Sequence, residues 1–138
     1  MIVLDTSGLL AAIDSYQRRH ESARRVLESD TGPLLLSPFV LAELDYLLLT
    51  HVGVDAEVLL LDEVANGAYR LERFDEEDVR AAMELIERYR DLRIGIADAS
   101  IVIIAARAGT NRILTLDERH FRAIRPLRGR AFQLLPMD

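Results

Sequence analysis

Four carboxylates in this chain stand where carboxylates are costly. Asp5 closes the apolar run Met1-Ile2-Val3-Leu4, and Asp117 follows Leu114-Thr115-Leu116. Asp98 is the only charged residue between Arg93 and Arg107. Glu43 has Phe39, Val40 and Leu47 at i−4, i−3 and i+4, so on a helix it shares a face with apolar side chains. An ionised carboxylate taken out of water needs compensation. Singly, each acid has an ordinary explanation: Asp5 and Asp117 as helix caps, Asp98 as a first-turn acid, Glu43 as the partner of an arginine. Four such coincidences in one chain are a poor account of the set. If the four converge, a hard cation relieves their repulsion, and an all-oxygen site selects Mg²⁺ or Mn²⁺.

The other polar residues divide around that quartet. Glu76, Glu77 and Asp78 fall in a first helical turn, where negative charge suits the helix dipole. Asp45, two residues beyond Glu43, points to another face. Thr6, Ser7 and Thr115 place hydroxyls beside the strand-end acids, where they could steady ligands or waters or simply cap helices. Arg18, Arg19, Arg112, Arg119 and Arg122 flank the acidic segments and are candidate phosphate contacts, with solvated surface arginine as the alternative for each. His20, His51 and His120 read as surface or packing residues, although His120 follows closely behind Asp117.

Alternating strands and helices must bring the acids together. Apolar runs at 1–4, 34–36, 69–71, 113–116 and 132–135 read as strands. Between them the spacing predicts helices at about 7–13, 19–29, 37–50, 54–66, 75–90 and 96–108. Ser37-Pro38 is a strong helix start, and Asp75 with Asp78 resembles a capping box. The alternation predicts an α/β fold with a largely parallel sheet, in which ligands bind at the carboxyl ends of strands. Asp5 and Asp117 occupy such ends, and Glu43 and Asp98 lie early in their helices.

Composition sets the bounds. The 138 residues suit a single domain, 1–138, and 50% hydrophobic with 29% charged residues is a globular balance. Cysteine is absent, which excludes disulfides, thiolate metal sites and a cysteine nucleophile. The net charge of −6 argues against a polyanionic partner less than it first suggests. With the quartet set aside, 17 basic residues face 19 acids, a balance of −2. The opening residues lack the basic region and cleavage site of a secretory signal, and no apolar run approaches the ~20 residues of a membrane span. A cytoplasmic protein is expected.

The segments Ile2-Val3-Leu4-Asp5-Thr6-Ser7, Val40-Leu41-Ala42-Glu43-Leu44, Gly95-Ile96-Ala97-Asp98-Ala99 and Leu114-Thr115-Leu116-Asp117, with Phe121, resemble in order and spacing the motifs of PIN-domain ribonucleases, specifically the VapC-type toxins of type II toxin–antitoxin systems. The resemblance spans nearly the whole chain. It implies a PIN-like three-layer fold, a central mostly parallel sheet of about four to five strands flanked by helices. It implies one or two Mg²⁺ or Mn²⁺ ions, with Asp5 and Asp98 as principal ligands and Glu43 and Asp117 completing the pocket. It further implies cleavage of RNA, in transfer or ribosomal RNA loops, to arrest translation, a cognate antitoxin partner and a homodimer.

Competing Mg²⁺ folds fit less well. A haloacid-dehalogenase-type site needs an aspartate where Ser7 stands. A phospho-receiver needs a lysine, and this chain has none. No phosphate-binding glycine motif is present. A non-catalytic PIN-fold module that binds RNA or protein is the remaining alternative.

Overall fold

The structure, a computed structural model, describes residues 1–138. Five short strands form one sheet: β1 (Ile2–Leu4), β2 (Leu34–Leu36), β3 (Arg70–Leu71), β4 (Arg112–Leu114) and β5 (Gln133–Leu135). Their order is β3-β2-β1-β4-β5, and every pairing is parallel. Val3 lies opposite Leu35 on one side and Ile113 on the other. Central parallel strands are covered on both faces and so read as unbroken apolar runs. Ile2, Val3 and Leu4 are accordingly all fully buried.

Seven helices flank the sheet: α1 (Thr6–Ile13), α2 (His20–Ser29), α3 (Pro38–His51), α4 (Val54–Ala65), α5 (Glu76–Arg88), α6 (Ile96–Ala108) and α7 (Glu118–Ala123). The strand order runs outward from β1 to β3, then reverses to β4 and β5. With right-handed connections, this reversal puts α1–α4 and α5–α7 on opposite faces. It also opens a crevice between the carboxyl ends of β1 and β4, the topological switch point where α/β folds bind ligands. No helix is long and apolar enough to cross a membrane.

Local chemistry sets the helix ends. Pro38 occupies the first turn of α3, and the Phe39 N–H donates to Ser37 Oγ at 3.2 Å. The Asp75/Asp78 capping box is formed at α5 in both directions. Gly109 ends α6 in the left-handed conformation at φ +73°. Helix α6 is the buried one, with every residue from Ala99 to Ala105 inside. Gly8 lets α1 lie directly on β4, since a Cβ there would come within 2.3 Å of the Leu114 carbonyl oxygen.

Two buried hydroxyls join α3 to α6. Ser100 Oγ donates to the Ala97 carbonyl at 2.6 Å and lies 2.6 Å from Ser37 Oγ. The Ser100 proton is thereby committed, so Ser37 must donate to Ser100 while accepting from Phe39. A directed relay runs from the Phe39 N–H through both serines to the Ala97 carbonyl, one residue before Asp98.

Arg112 opens β4 and therefore sits at the opposite end of the sheet from the carboxyl ends. There it ion-pairs with Asp30. Burial opposes ionisation of Asp30, but the Met1 amine and the Arg112 guanidinium outweigh it and hold the carboxyl down at about 2. Arg112 is thus a structural cation, remote from the acids it was expected to flank.

Candidate metal centre

Asp5 leaves β1 in extended conformation at the N-cap position of α1, yet its side chain makes no cap hydrogen bond. Instead its Oδ2 accepts from Ser7 Oγ at 2.6 Å and from Thr115 Oγ1 at 2.7 Å. Each hydroxyl in turn accepts a backbone N–H, from Leu116 and Asp117 respectively, both at 2.9 Å. Both hydroxyl protons are therefore aimed at Asp5. One oxygen of Asp5 is saturated by these side chains, and the other is left for a ligand. Burial pushes the Asp5 carboxyl above its ordinary range; the two hydroxyls oppose this, and the charge of Asp117 adds to it.

Asp98 stands in the first turn of α6. Its Oδ2 lies 2.7 Å from His120 Nδ1, which is also 3.1 Å from Asp117 Oδ2. Asp117 uses its other oxygen to cap α7, accepting the His120 N–H at 3.0 Å. Burial first, and then the Asp5 charge, push Asp98 up to about 6, with His120 opposing. Ligand atoms of Asp98, Asp117 and His120 all lie within 4.8 Å of one another.

These side chains share one open cleft of about 430 Å³, together with Glu43 and Gln17. Glu43 differs from the expectation that it packs on a buried face. The buried stripe of α3 is Val40, Leu44 and Leu48, and Glu43 stands exposed at the rim. Asp45 does point elsewhere, toward Glu57 of α4, whose carboxyl it raises. Thr6 is buried against the cleft with an unpartnered hydroxyl.

His120 is the residue the sequence reading left out. The signal was present: an aspartate N-cap brings the residue three positions on to its own side of the helix. Among the arginines, Arg18 and Arg19 are exposed close to the cleft, and Arg119 is exposed on α7. Arg122 is engaged by Glu118 at 3.2 Å and Asp138 at 2.5 Å.

The donor set fits a hard divalent cation. Four carboxylates line the cleft with no arginine or lysine among them, and His120 is the single side chain able to carry positive charge there. Burial chiefly, and the neighbouring carboxylate charges after it, displace Asp5 and Asp98 upward.

Comparison with known proteins agrees with this geometry. The family model described as PIN domain matches residues 2–126. Ribonuclease VapC26 of Mycobacterium tuberculosis (strain ATCC 25618 / H37Rv) is 44% identical over 135 residues, covering 98% of this chain and 100% of the relative. The chain therefore belongs to the PIN-domain family, and within it to the VapC-type ribonucleases. Among solved structures, Mycobacterium tuberculosis VapC20, described as a sarcin–ricin loop cleaving toxin, superposes with a TM-score of 0.82 at 22% identity, covering 94% of this chain and 100% of that one. VapBC2 from Rickettsia felis, bound to a promoter DNA fragment, gives 0.68 at 22% identity over 97% and 98%. A toxin–antitoxin complex from Klebsiella pneumoniae gives 0.66 at 17% identity over 90% and 92%. At these identities the solved structures speak to the fold.

Proposed function

We propose that residues 1–138 form a single divalent-metal-dependent endoribonuclease domain, the toxin of a cytoplasmic toxin–antitoxin pair, which cleaves transfer or ribosomal RNA loops and arrests translation. The observation that carries this reading is the convergence of Asp5, Asp98 and Asp117, with Glu43 at the rim, in one cleft lined by no arginine or lysine. Asp5 and Asp98 would be the principal metal ligands, and Glu43 and Asp117 would complete the pocket. When bound, Mg²⁺ or Mn²⁺ supplies an acidified water as nucleophile near neutral pH and polarises the phosphoryl oxygen.

The protein's own groups do the rest. Ser7 and Thr115 hold one oxygen of Asp5, which fixes the direction of the other. His120 holds Asp98 and Asp117 side by side. Of the two acids able to take a proton from the attacking water, Asp117 is occupied by its helix cap and by His120. Glu43 is exposed on the cleft and is the one free to accept it.

An antitoxin partner is supported by the toxin–antitoxin assemblies among the structural neighbours. The leucines Leu9, Leu44 and Leu48 of α1 and α3 are fully buried core and offer such a partner no surface. A groove of about 410 Å³ instead runs along Ile13, Leu27, Leu59 and Leu60. A homodimer is part of the same reading, and sedimentation showing only monomer at working concentration removes it.

The deciding experiment incubates purified protein with RNA in Mg²⁺ or Mn²⁺. Cleavage that EDTA abolishes, and that Asp5→Asn and Asp98→Asn each lose, is the expected result. Equal cleavage by wild type and both variants overturns the assigned site. RNA binding without turnover in either metal favours a binding module.

A further inference from the structure

The α1–α2 loop, residues 14–19, presents Tyr16 to solvent at 96% exposure, the most exposed of the large hydrophobic side chains. The turn beneath it is ordered. The Asp14 carboxylate accepts from the Tyr16 N–H at 3.1 Å and from Gln17 Nε2 at 3.0 Å, and the Gln17 N–H returns to the Asp14 carbonyl at 3.0 Å. Arg19 then takes the left-handed conformation at φ +63°. A tied backbone that holds a bare aromatic ring in water gains nothing from packing that ring.

Its neighbours give the ring a context. Gln17 lines the metal cleft. Arg18 and Arg19 line a groove of about 700 Å³ that adjoins the cleft at Leu116, a wall residue of both. The single acid of that groove, Glu118, is paired with Arg122 rather than with Arg18 or Arg19. An exposed ring beside two unneutralised guanidiniums, leading into a cleft that would cut phosphodiesters, is the combination that binds single-stranded nucleic acid. Bases stack on the aromatic and phosphates follow the arginines.

We propose that the 14–19 loop is a single-strand RNA-binding element, with Tyr16 stacking a base next to the scissile phosphate and Arg18 and Arg19 holding the flanking backbone in the adjoining groove. This rests on the ribonuclease reading above and assigns the side on which the strand leaves the cleft.

The test uses the full chain carrying Asp98→Asn and a fluorescein-labelled eight-nucleotide single-stranded RNA, read by anisotropy. Tyr16→Ala weakens binding at least about 5-fold, the lower end for one lost stack, and Tyr16→Phe restores it. The exposed Tyr46→Ala leaves it unchanged. Arg18→Ala and Arg19→Ala each lower the slope of log affinity against log salt by about 0.7. Tyr16→Trp installs the only tryptophan, whose fluorescence is quenched by the unlabelled oligonucleotide. With Asp98 restored, Tyr16→Ala raises KM more than it lowers kcat. Unchanged affinity and slope, with no quenching in the Tyr16→Trp variant, overturn the proposal even where wild-type cleavage upholds the ribonuclease reading. Loss of binding to a copurified antitoxin with RNA affinity intact also overturns it, and reassigns the loop to the protein partner. Tyr16 touches no core residue, so a matching melting temperature shows each variant folded.

Discussion

Asp98 and Asp5 are held in conditions that oppose their own ionisation, and this has a signed consequence for stability. Asp98 is raised from 3.8 to about 6, so the folded state holds its proton more tightly than the unfolded chain does. Its contribution is fully present below about pH 4 and is lost as pH rises through about 6. In EDTA, the unfolding free energy of wild type should therefore fall across that window relative to Asp98→Asn, by on the order of 1–2 kcal/mol after allowing for solvent screening. Urea titrations at a series of pH values read it directly. Saturating Mg²⁺ should stabilise wild type at pH 7 far more than the variant; a metal response of equal size in both would remove Asp98 as a ligand. His120 gives a second expectation. His120→Ala should raise the half-saturating Mg²⁺ concentration about 10- to 100-fold, as loss of a ligand-orienting partner does, read from cleavage rate against metal concentration. The acids were legible in the sequence because charge in an apolar run is conspicuous. His120 was legible only as a neighbour of Asp117 three positions back; that it would also reach Asp98 on α6 is a long-range contact that Asp-Glu-Arg-His does not mark. Glu43 was misjudged for a related reason: three apolar neighbours at helical spacing place it beside the buried stripe without saying on which side of the edge it falls.

At the scale of elements, the Ser37–Ser100 relay sets how α3 stands against α6, and hence how the rim acid faces Asp98. Ser100→Ala leaves the Ser37 hydroxyl buried without an acceptor, at a cost of about 1–3 kcal/mol. Ser37→Ala breaks the same chain and an N-cap as well. The double variant should cost clearly less than the sum of the two, in urea titrations at constant slope, because a broken network is lost once; strict additivity would mean the two serines act independently. Neither hydroxyl announced this in the sequence, where Ser37 reads only as a cap and Ser100 as one polar residue in an apolar helix. By contrast, the helix starts at Ser37-Pro38 and Asp75 were plain, because caps are local chemistry. The leucines of α3 show the limit: Leu44 and Leu48 are interior while Tyr46 and Leu49 face out, a division made by the tertiary partner.

At the scale of the molecule, the sheet has two ends with different duties. The carboxyl ends collect the acids, and the opposite end is tied by Asp30 and Arg112. Arg112→Ala should cost roughly 2 kcal/mol, the loss of a charged hydrogen bond to a carboxylate that is 5% exposed, while leaving kcat/KM for RNA unaltered. A loss of RNA affinity at unchanged stability would return Arg112 to the substrate track. The α/β class and the parallel sheet were readable from the alternation of elements, but the strand order was not, because pairing across the sheet is decided by long-range contacts. That order bears on when the protein can act during its own synthesis. Strand β1 is made before its neighbours yet occupies the middle of the sheet, and its second neighbour, β4, begins only at Arg112. Until then Asp5 faces an open side, without Thr115 to hold it or Asp117 and His120 to close the pocket. A nascent chain released short of that point carries its first acids but no assembled cleft, so translation must pass His120 before Asp5, Asp98, Asp117 and His120 can meet.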